Sequence, residues 1–378
     1  MIKSNCIYIK NKNDFSSQTA FVELSKFNIA LIFGENTFLK SAEFLSIKNN
    51  LPSDLKIIGC STSGHFLNNK LYDNGCVISF LNIDSDAYKL FYYKINALNS
   101  FEVGKEIAQN ALIKNNLKHL FILSEGLDVN GSKLTEGLKY ILPDNVTVSG
   151  GLAGDMDNFD ETNVCNENGD FEKNTICVLA LYNEINIGNG CDGGWSPFGI
   201  ERIVTKSLNN IVYEIDNQPA LDLYKTFLGE KSKELPSSAL LFPLSMRISG
   251  NTAPIVRTIL NINENEKSLT FAGDIPQNAS VRLMKTNFDF VINAAENASK
   301  HAIINNQNNP DFTIAISCVG RKLILKQLVE EELDAAIENI NNHSSFFGFY
   351  SYGEISPNKN SICELHNQSF SVTTFKKL

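Results

Sequence analysis

The sequence predicts an α/β fold, with α+β as the alternative, in which helices cover mixed sheets and the chain divides into two domains. Short apolar runs typical of buried strands alternate with helix-type apolar stripes, and glycine-rich turns follow several of the strands. The same order of elements recurs three times. With 378 residues, 43% of them hydrophobic and 20% charged, the chain is long enough to bury a sizeable core.

The first copy of the repeated unit begins with an apolar run at residues 29–33, which predicts a buried strand. A helix stripe follows over residues 44–51, and residues 56–60 predict a second strand. Asn74-Gly75 is a strong reversal signal, so the strand predicted at 76–81 should return antiparallel.

Two further segments repeat this order. In the second, the predicted order is helix, strand, helix, strand and return strand, at 103–112, 120–123, 134–141, 146–148 and 176–182. In the third, it is strand, helix, strand and return strand, at 312–317, 325–340, 346–349 and 369–375. True structural repetition and a chance likeness between α/β segments both remain open.

Each unit contains a glycine turn that ends in Gly followed by a residue able to bind a proton or a cation. The turns occupy residues 59–65, 149–155 and 348–354, and their last residues are His65, Asp155 and Glu354. If the units are real repeats, the turns at Gly64, Gly154 and Gly353 should open toward a common region. The alternative is that these residues only cap and shape local turns.

The region between the second and third units has a different pattern. Residues 193–199 predict a rigid turn that carries the only tryptophan, Trp195, and residues 216–219 predict the start of a helix. The polar segment 229–238 is the best candidate domain boundary. Residues 255–284 predict antiparallel strands.

Composition and motifs exclude several classes of protein. The net charge of −9, without a basic run, argues against a nucleic-acid partner, and no apolar stretch is long enough to span a membrane. The eight cysteines are scattered without metal-ligand spacing, so we expect reduced thiols, no metal site, no cofactor and a cytoplasmic location. The glycine turns match neither the dinucleotide-binding nor the P-loop pattern.

The candidate ligand-binding residues come from the glycine turns, the tryptophan turn and one strand end. Arg321 is a candidate donor to a carboxylate, and Asp155 or Glu354 a candidate acceptor for an ammonium group. An internal ion pair between Arg321 and Asp155 that ties the domains together is an open alternative. The full set is Ser61, Thr62, Gly64, His65, Gly151, Gly154, Asp155, Trp195, Arg321, Tyr352 and Glu354.

The order and spacing of these strings resemble the FIST family of sensory proteins over nearly the whole chain. The N-terminal strings are Gly59-Cys60-Ser61-Thr62-Ser63-Gly64, Gly150-Gly151-Leu152-Ala153-Gly154-Asp155 and Gly194-Trp195-Ser196-Pro197-Phe198-Gly199. The C-terminal ones include Val256-Arg257, Gly273-Asp274-Ile275-Pro276, Cys318-Val319-Gly320-Arg321 and Leu365-His366-Asn367. The resemblance implies an extension at 1–26, a FIST N-terminal domain at 27–228 and a FIST C-terminal domain at 229–378.

The resemblance also implies a function. It predicts a stand-alone cytosolic sensor without catalytic activity that binds a small molecule, amino acids or related metabolites, and signals through a separate output protein. His65 stands where the family pattern has Glu, and Asn278 where it has Gly. The alternatives are an enzyme that uses Cys318 or the acidic turn residues, and a scaffold that binds a protein partner.

Overall fold

The computed structural model describes residues 2–183, 185–248, 254–305, 309–340, 344–357 and 363–377. Its body is built from three repeated units, each a strand, a helix, a strand, a helical segment, a strand, a short hairpin and a return strand. The repetition predicted from the sequence is therefore confirmed. A separate β-layer, residues 196–285, is inserted into the third unit between its first strand and first helix.

The elements are numbered in chain order. The first unit contains β1 Lys3–Ile9, α1 Lys12–Thr19, β2 Ile29–Gly34, α2 Asn36–Leu39, α3 Ala42–Lys48, β3 Lys56–Ser61, β4 His65–Leu67, β5 Lys70–Tyr72 and β6 Cys76–Asn82. The second contains β7 Tyr88–Lys94, α4 Ser100–Leu112, β8 Leu117–Ser124, α5 Gly131–Ile141, β9 Thr147–Leu152, β10 Val164–Cys165, β11 Phe171–Glu172 and β12 Thr175–Tyr182.

The third unit begins with β13 Ile185–Asp192, after which the inserted layer follows. The layer contains β14 Ser196–Leu208, β15 Ile211–Ile215, β16 Gln218–Pro219, α6 Ala220–Leu228, β17 Leu244–Arg247, β18 Ile255–Arg257, β19 Ile259–Asn263, β20 Ser268–Phe271 and β21 Ser280–Lys285. The unit resumes with α7 Phe288–Asn305, β22 Phe312–Cys318, α8 Val319–Leu325, α9 Val329–Ile337, β23 Ser345–Ser351, β24 Gly353–Pro357, β25 Cys363–His366 and β26 Phe370–Lys377.

The three units exchange their hairpins in a closed cycle. Each sheet contains one parallel pair, β2 with β3, β8 with β9, or β22 with β23, and the return strand runs antiparallel to the first member of that pair. The outer edge of the second member pairs with a hairpin strand from another unit. The pairs are β3 with β10, β9 with β24, and β23 with β4. Every unit therefore completes the sheet of another, and the body cannot be divided without breaking a sheet.

The apolar pattern of the strands explains this arrangement. One face of each sheet points into a shared central core that contains Phe33, Phe121 and Phe347. The other face is covered by the helices of its own unit, for example by the α4 and α5 stripes around Ile107 and Leu138. Strands buried on both faces read as continuous apolar runs, which is why their positions are visible in the sequence.

The inserted layer differs in part from the sequence-based expectation. Strand β14 begins at Ser196, so the predicted rigid turn at 193–199 is shorter, and α6 begins at Ala220 because Gln218–Pro219 pairs with β15. The predicted domain boundary between residues 228 and 229 lies inside the layer. Asn278, in a position where the family pattern has Gly, has a φ of 69°, a left-handed conformation that Asn tolerates.

Among the described residues, none of the helices is both long enough and apolar enough to cross a bilayer.

Candidate functional site

The three glycine turns meet at the carboxyl ends of the parallel strand pairs. The Gly154 N–H donates to the Ser61 carbonyl at 2.9 Å, and the Ser63 N–H donates to the Tyr350 carbonyl at 2.8 Å. The Tyr352 N–H donates to the Leu152 carbonyl at 3.3 Å. The prediction that the turns open toward a common region is confirmed, and we call this region the turn junction.

The turn junction is a packed contact between backbones. A Cβ at Gly154 would lie 2.3 Å from the Ser63 Oγ, so only glycine fits there. Gly64 has a φ of 119°, and the space beside it is taken by the Lys322 Nζ, which donates to the Ser63 carbonyl at 2.8 Å. The predicted residues that the junction brings together are Ser61, Thr62, Gly64, His65, Gly151, Gly154, Asp155, Tyr352 and Glu354. Their role in ligand binding stays a prediction.

His65 is enclosed within this junction. Its ring lies between Thr62, whose Oγ1 is 3.3 Å from Nδ1, and the Asn74 carbonyl, which is 3.2 Å from Nε2. Burial lowers the pKa of His65 to about 3. The imidazole is therefore neutral at physiological pH, where the family pattern places a carboxylate.

The two acidic turn residues are both buried and differ in their hydrogen bonds. Asp155 accepts from the Glu161 N–H at 3.2 Å. Glu354 is fully buried and accepts from the hydroxyls of Ser351 at 2.7 Å and Ser369 at 2.8 Å. Burial raises the pKa of Glu354 to about 7.

Arg321 forms an internal ion pair, but its partner is Glu332 and not Asp155, so the alternative of an Arg321–Asp155 pair is wrong. It is fully buried, and its guanidinium lies 2.7 Å from Glu332. Further N–H groups donate to the carbonyls of Gly193 at 2.9 Å and Val291 at 2.6 Å. Because these acceptors lie within the protein, the predicted role of Arg321 in holding a ligand carboxylate is not supported.

Cys318 ends β22 and precedes the first turn of α8. It is buried, as expected for a structural thiol, and burial raises the pKa of the thiol well above its ordinary value. A nucleophilic cysteine requires the opposite shift, so this environment disfavours the thiolate.

A cavity of 190 Å³ lies where the inserted layer meets α5, and we call it the Arg257 cavity. Arg257, at the end of β18, is 3% exposed, and its Nη1 donates to the Leu365 carbonyl at 2.8 Å. Its Nε has no hydrogen-bond partner, and within the described ranges no carboxylate comes within ion-pair distance of the guanidinium. Burial lowers the pKa of Arg257 to about 10.

The same cavity contains an acceptor that also lacks a partner. Glu364 in β25 is 9% exposed; its Oε1 lies 3.4 Å from the Lys139 Nζ, whereas its Oε2 is buried without a partner. Asp274, also on the wall, accepts from the Asn130 side-chain amide at 3.0 Å. Asn130 is the N-cap of α5, so these contacts join the layer to the body.

Trp195 lines a second cavity of 270 Å³, which we call the Trp195 cavity. The indole N–H donates to the Gln368 carbonyl at 3.0 Å. Asn367 is 2% exposed, and neither its side-chain oxygen nor its nitrogen has a partner. Ser369, also on this wall, connects the cavity to the buried Glu354.

The sequence analysis did not select Arg257, Asp274, Glu364 or Asn367 as binding residues. Three of them stand inside strings quoted for the family resemblance, and Glu364 directly precedes one. The strings of the family resemblance therefore already contained three of these four residues. What the sequence could not show was that β18, the residues after β20 and β25 converge on α5.

Comparison with solved structures gives only distant likenesses. A chorismatase crystal structure has 8% identity and a TM-score of 0.36, covering 99% of each chain. A cyanuric acid hydrolase from A. caulinodans has 5% identity and a TM-score of 0.36, covering 100% of this chain and 99% of that one. At these values, neither likeness enters the functional argument.

Sequence comparison is more informative. The uncharacterized protein MJ1623 of Methanocaldococcus jannaschii is 26% identical over 329 residues, which cover 76% of this chain and 59% of the relative. The present chain thus spans less than two thirds of that protein. The FIST N domain profile matches residues 28–218, and the FIST C domain profile matches residues 220–357. The chain belongs to the FIST family, whose domains are associated with sensory signal transduction.

Proposed function

We propose that the protein is a sensor of amino acids or related zwitterionic metabolites, and that the ligand binds in the Arg257 cavity. One observation carries this proposal: two charged side chains on the same wall of the cavity each have an atom without a hydrogen-bond partner. Arg257 has a buried donor without an acceptor, and Glu364 has a buried oxygen without a donor. A ligand that carries both a carboxylate and an ammonium group would bring an opposite charge to each of these two side chains.

The energetics favour this ligand over an empty site. A buried polar group without a hydrogen bond costs about 1–3 kcal/mol, and more when the group is charged. The other charges of the wall are already engaged, since Lys133 lies 2.7 Å from Glu136 and Lys139 lies 3.4 Å from Glu364. A zwitterion completes Arg257 and Glu364 without changing the net charge of the cavity.

The size of the cavity agrees with a small ligand. A volume of 190 Å³ is room for a small molecule such as a free amino acid.

Signalling would follow from the position of the cavity. Arg257 and Asp274 belong to the inserted layer, whereas Ser132 and Glu364 belong to the body. A ligand held by both parts stabilises one placement of the layer, and a separate output protein that reads this placement would receive the signal. The eight cysteines are all free, in keeping with a reducing cytoplasmic location.

We propose binding without turnover. The enzyme alternative requires a reactive group at a cavity, and burial opposes the thiolate of its main candidate, Cys318. The scaffold alternative predicts no small ligand. The enzyme alternative therefore predicts turnover and the scaffold alternative predicts no response to a small molecule, whereas the sensor predicts binding without turnover.

The test is a thermal-shift screen with matched ligands. Leucine, for example, is compared with leucinamide, which lacks the carboxylate, and with 4-methylpentanoate, which lacks the ammonium group; the same three forms are tested for other side chains. A ligand that binds only the native state raises the melting temperature. We expect only intact zwitterions to do so.

Variants assign the two ends of the ligand. Arg257→Met should abolish the preference for leucine over leucinamide. Glu364→Gln should weaken the preference for leucine over 4-methylpentanoate. Lys133→Met is the control, because it removes a charge of the same wall that is paired with Glu136 and leaves the contacts of Arg257 and Glu364 in place. If no zwitterion binds, or if Arg257→Met binds as the wild type does, the proposed site is wrong.

A further inference from the structure

The inserted layer has an apolar groove on its surface, which we call the layer groove. Strand β14 contributes Phe198 and Ile200 to its walls, and α6 contributes Tyr224 and Phe227. The groove reaches down to buried side chains of the layer core. These are Ile215, Leu244, Val281 and Leu283.

Large apolar side chains are exposed at the rim of the layer groove. Ile200 is 69% exposed, Phe198 46% and Phe227 37%. Single exposed apolar residues are common on protein surfaces, but these three border one concave site above a buried apolar floor. A rim and floor of this kind indicate a surface that a partner covers.

The first part of β14 also has a strand edge without a partner. Residues 196–198 pair with β21, whereas β15 pairs with β14 only from Val204 onward. Within the described ranges, no strand pairs with the other edge of residues 196–201. A Cβ at Gly199 would meet no atom within 4 Å, so the space beside it is open. An unpaired edge next to an apolar groove suits an extended peptide segment.

The charges at the layer groove are positive. Arg202 and Arg282 line it, and among the residues that the structure describes no carboxylate does. Lys285 adds a third cation, since its Nζ lies over the Phe198 ring at 5.1 Å from the centroid. On a chain with a net charge of −9, this local excess of positive charge is complementary to an acidic partner.

The nearest carboxylates do not cancel this charge. Asp216 is paired with Arg202 at 2.8 Å, and Glu201 is paired with Arg247 at 2.6 Å. The other two cations of the groove are exposed, and in the described part of the chain neither has an ion-pair partner. They are therefore available to carboxylates of a partner.

The size of the groove favours an inserted side chain over a free small molecule. Its volume is 90 Å³, less than half of the 190 Å³ of the Arg257 cavity. A concave site with a buried floor also suits an inserted side chain better than it suits the flat surface of a membrane.

We propose that the layer groove docks an extended acidic segment of a partner protein. The segment inserts one apolar side chain into the groove and places carboxylates beside Arg282 and Lys285. This surface is separate from the Arg257 cavity and does not require a bound amino acid. Strand β17 contributes Leu244 to the groove and Met246 to the Arg257 cavity, so a docked partner lies close to the proposed sensing site.

Selection from a library of short random peptides tests this proposal. The displayed library is selected against the full chain in amino-acid-free buffer, and enriched peptides are labelled with fluorescein and titrated by anisotropy. We expect the enriched peptides to combine aspartate or glutamate with phenylalanine, leucine or isoleucine. Their binding should weaken as the salt concentration rises, because salt screens exposed charges.

Variants locate the binding site of these peptides. Ile200→Ser and Arg282→Glu should each weaken binding about tenfold or more. Leu208→Ser is the matched control, because Leu208 is also in β14 and is 63% exposed but does not line the groove. All three side chains are exposed, so the melting temperatures should stay close to that of the wild type.

Several results would overturn the proposal, whatever the thermal-shift screen shows for amino acids. One is that no peptide is enriched, or that the enriched peptides are basic. Another is that Ile200→Ser binds the enriched peptides as tightly as the wild type does. The proposal is also wrong if the groove is covered by a second copy, so that Ile200→Ser dissociates a dimer, or if the groove binds phosphatidylglycerol vesicles and no acidic peptide.

Discussion

Arg321 and Arg257 are both buried arginines with a glutamate nearby, but their surroundings differ. Arg321 lies 2.7 Å from Glu332, and the Tyr350 hydroxyl donates to the same carboxylate at 2.6 Å. Arg257 has one strong hydrogen bond, and neither its Nε nor the Glu364 Oε2 has a partner. The hydrogen bonds of the Arg321 pair are satisfied within the protein, whereas those of Arg257 and Glu364 are not.

The difference follows from where the two residues stand in the fold. Arg321 and Glu332 belong to α8 and α9 of one unit, so their geometry is fixed by the packing of that unit. Arg257 is in the inserted layer and Glu364 is in a hairpin of the body. We propose that the incomplete pair, where two structural parts meet, provides a place for a ligand, whereas the complete pair stabilises the fold.

The largest effect should come from breaking the complete pair. Arg321→Met leaves Glu332 buried without its cation, so we expect unfolding by denaturant to show a loss of about 3–5 kcal/mol. Replacing both members by Arg321→Met with Glu332→Leu should recover part of this loss. A stability close to that of the wild type for the single variant would show that the two networks do not differ as described.

The next effect comes from Glu354, which is buried and has no ion-pair partner among the residues that the structure describes. Its pKa of about 7 in the folded state is above the unfolded value, so its protonated form stabilises the fold below about pH 4.5. This contribution is lost as the pH rises toward 7, and it amounts to about 3 kcal/mol.

Glu354→Gln should remove this pH dependence. The measured quantity is the difference in free energy of unfolding between wild type and variant at several pH values. Burial lowers the pKa of His65 and His119 to about 3, which acts in the opposite direction but is common to both proteins. A difference that stays constant from pH 4.5 to 7 contradicts the assignment.

A smaller effect on stability is expected at the incomplete pair. Arg257→Met removes a buried charge that has one strong hydrogen bond, so the free energy of unfolding without ligand should change by less than about 1 kcal/mol. Denaturant unfolding of wild type and variant in amino-acid-free buffer measures it. A loss as large as that of Arg321→Met would show that Arg257 is structural.

The smallest change is Gly273→Ala. The added methyl group would lie 3.0 Å from the Arg257 Nε and the Ser132 Oγ, so it crowds the Arg257 side chain and needs a shift of only a few tenths of an ångström. We expect a stability within about 0.5 kcal/mol of the wild type and weaker binding of a zwitterion by calorimetry. Unchanged affinity would place the ligand elsewhere.

The sequence predicted the three units because their strands are buried on both faces and therefore form continuous apolar runs, as at 29–33 and 120–123. It also predicted that the glycine turns converge. It did not predict that the hairpins are exchanged between units. The paired strands β10 and β3 are far apart in the sequence, and local sequence patterns do not reveal such a pairing.

The candidate sites were less predictable. Arg321 and Arg257 both follow short apolar strings, and nothing local distinguishes them. The difference depends on Glu332, which lies eleven residues away on the same unit, and on Glu364, which comes from another part of the fold. Contacts between residues that are distant in the chain decide which arginine has an ion-pair partner. Such contacts cannot be read from a single sequence.

Within the described residues, no ion pair joins Arg257 to Glu364, although Glu364 contacts Lys139 at 3.4 Å, and we propose that a ligand links the two side chains. A double-mutant cycle on the free energy of unfolding, with Arg257→Met and Glu364→Gln, measures their coupling directly. We expect a small coupling without ligand, because the charge of Glu364 partly offsets the burial that lowers the pKa of Arg257, and a clearly larger coupling when a zwitterion that binds is present at saturation. Strong coupling in the ligand-free protein, equal to that of Arg321 with Glu332, would contradict it.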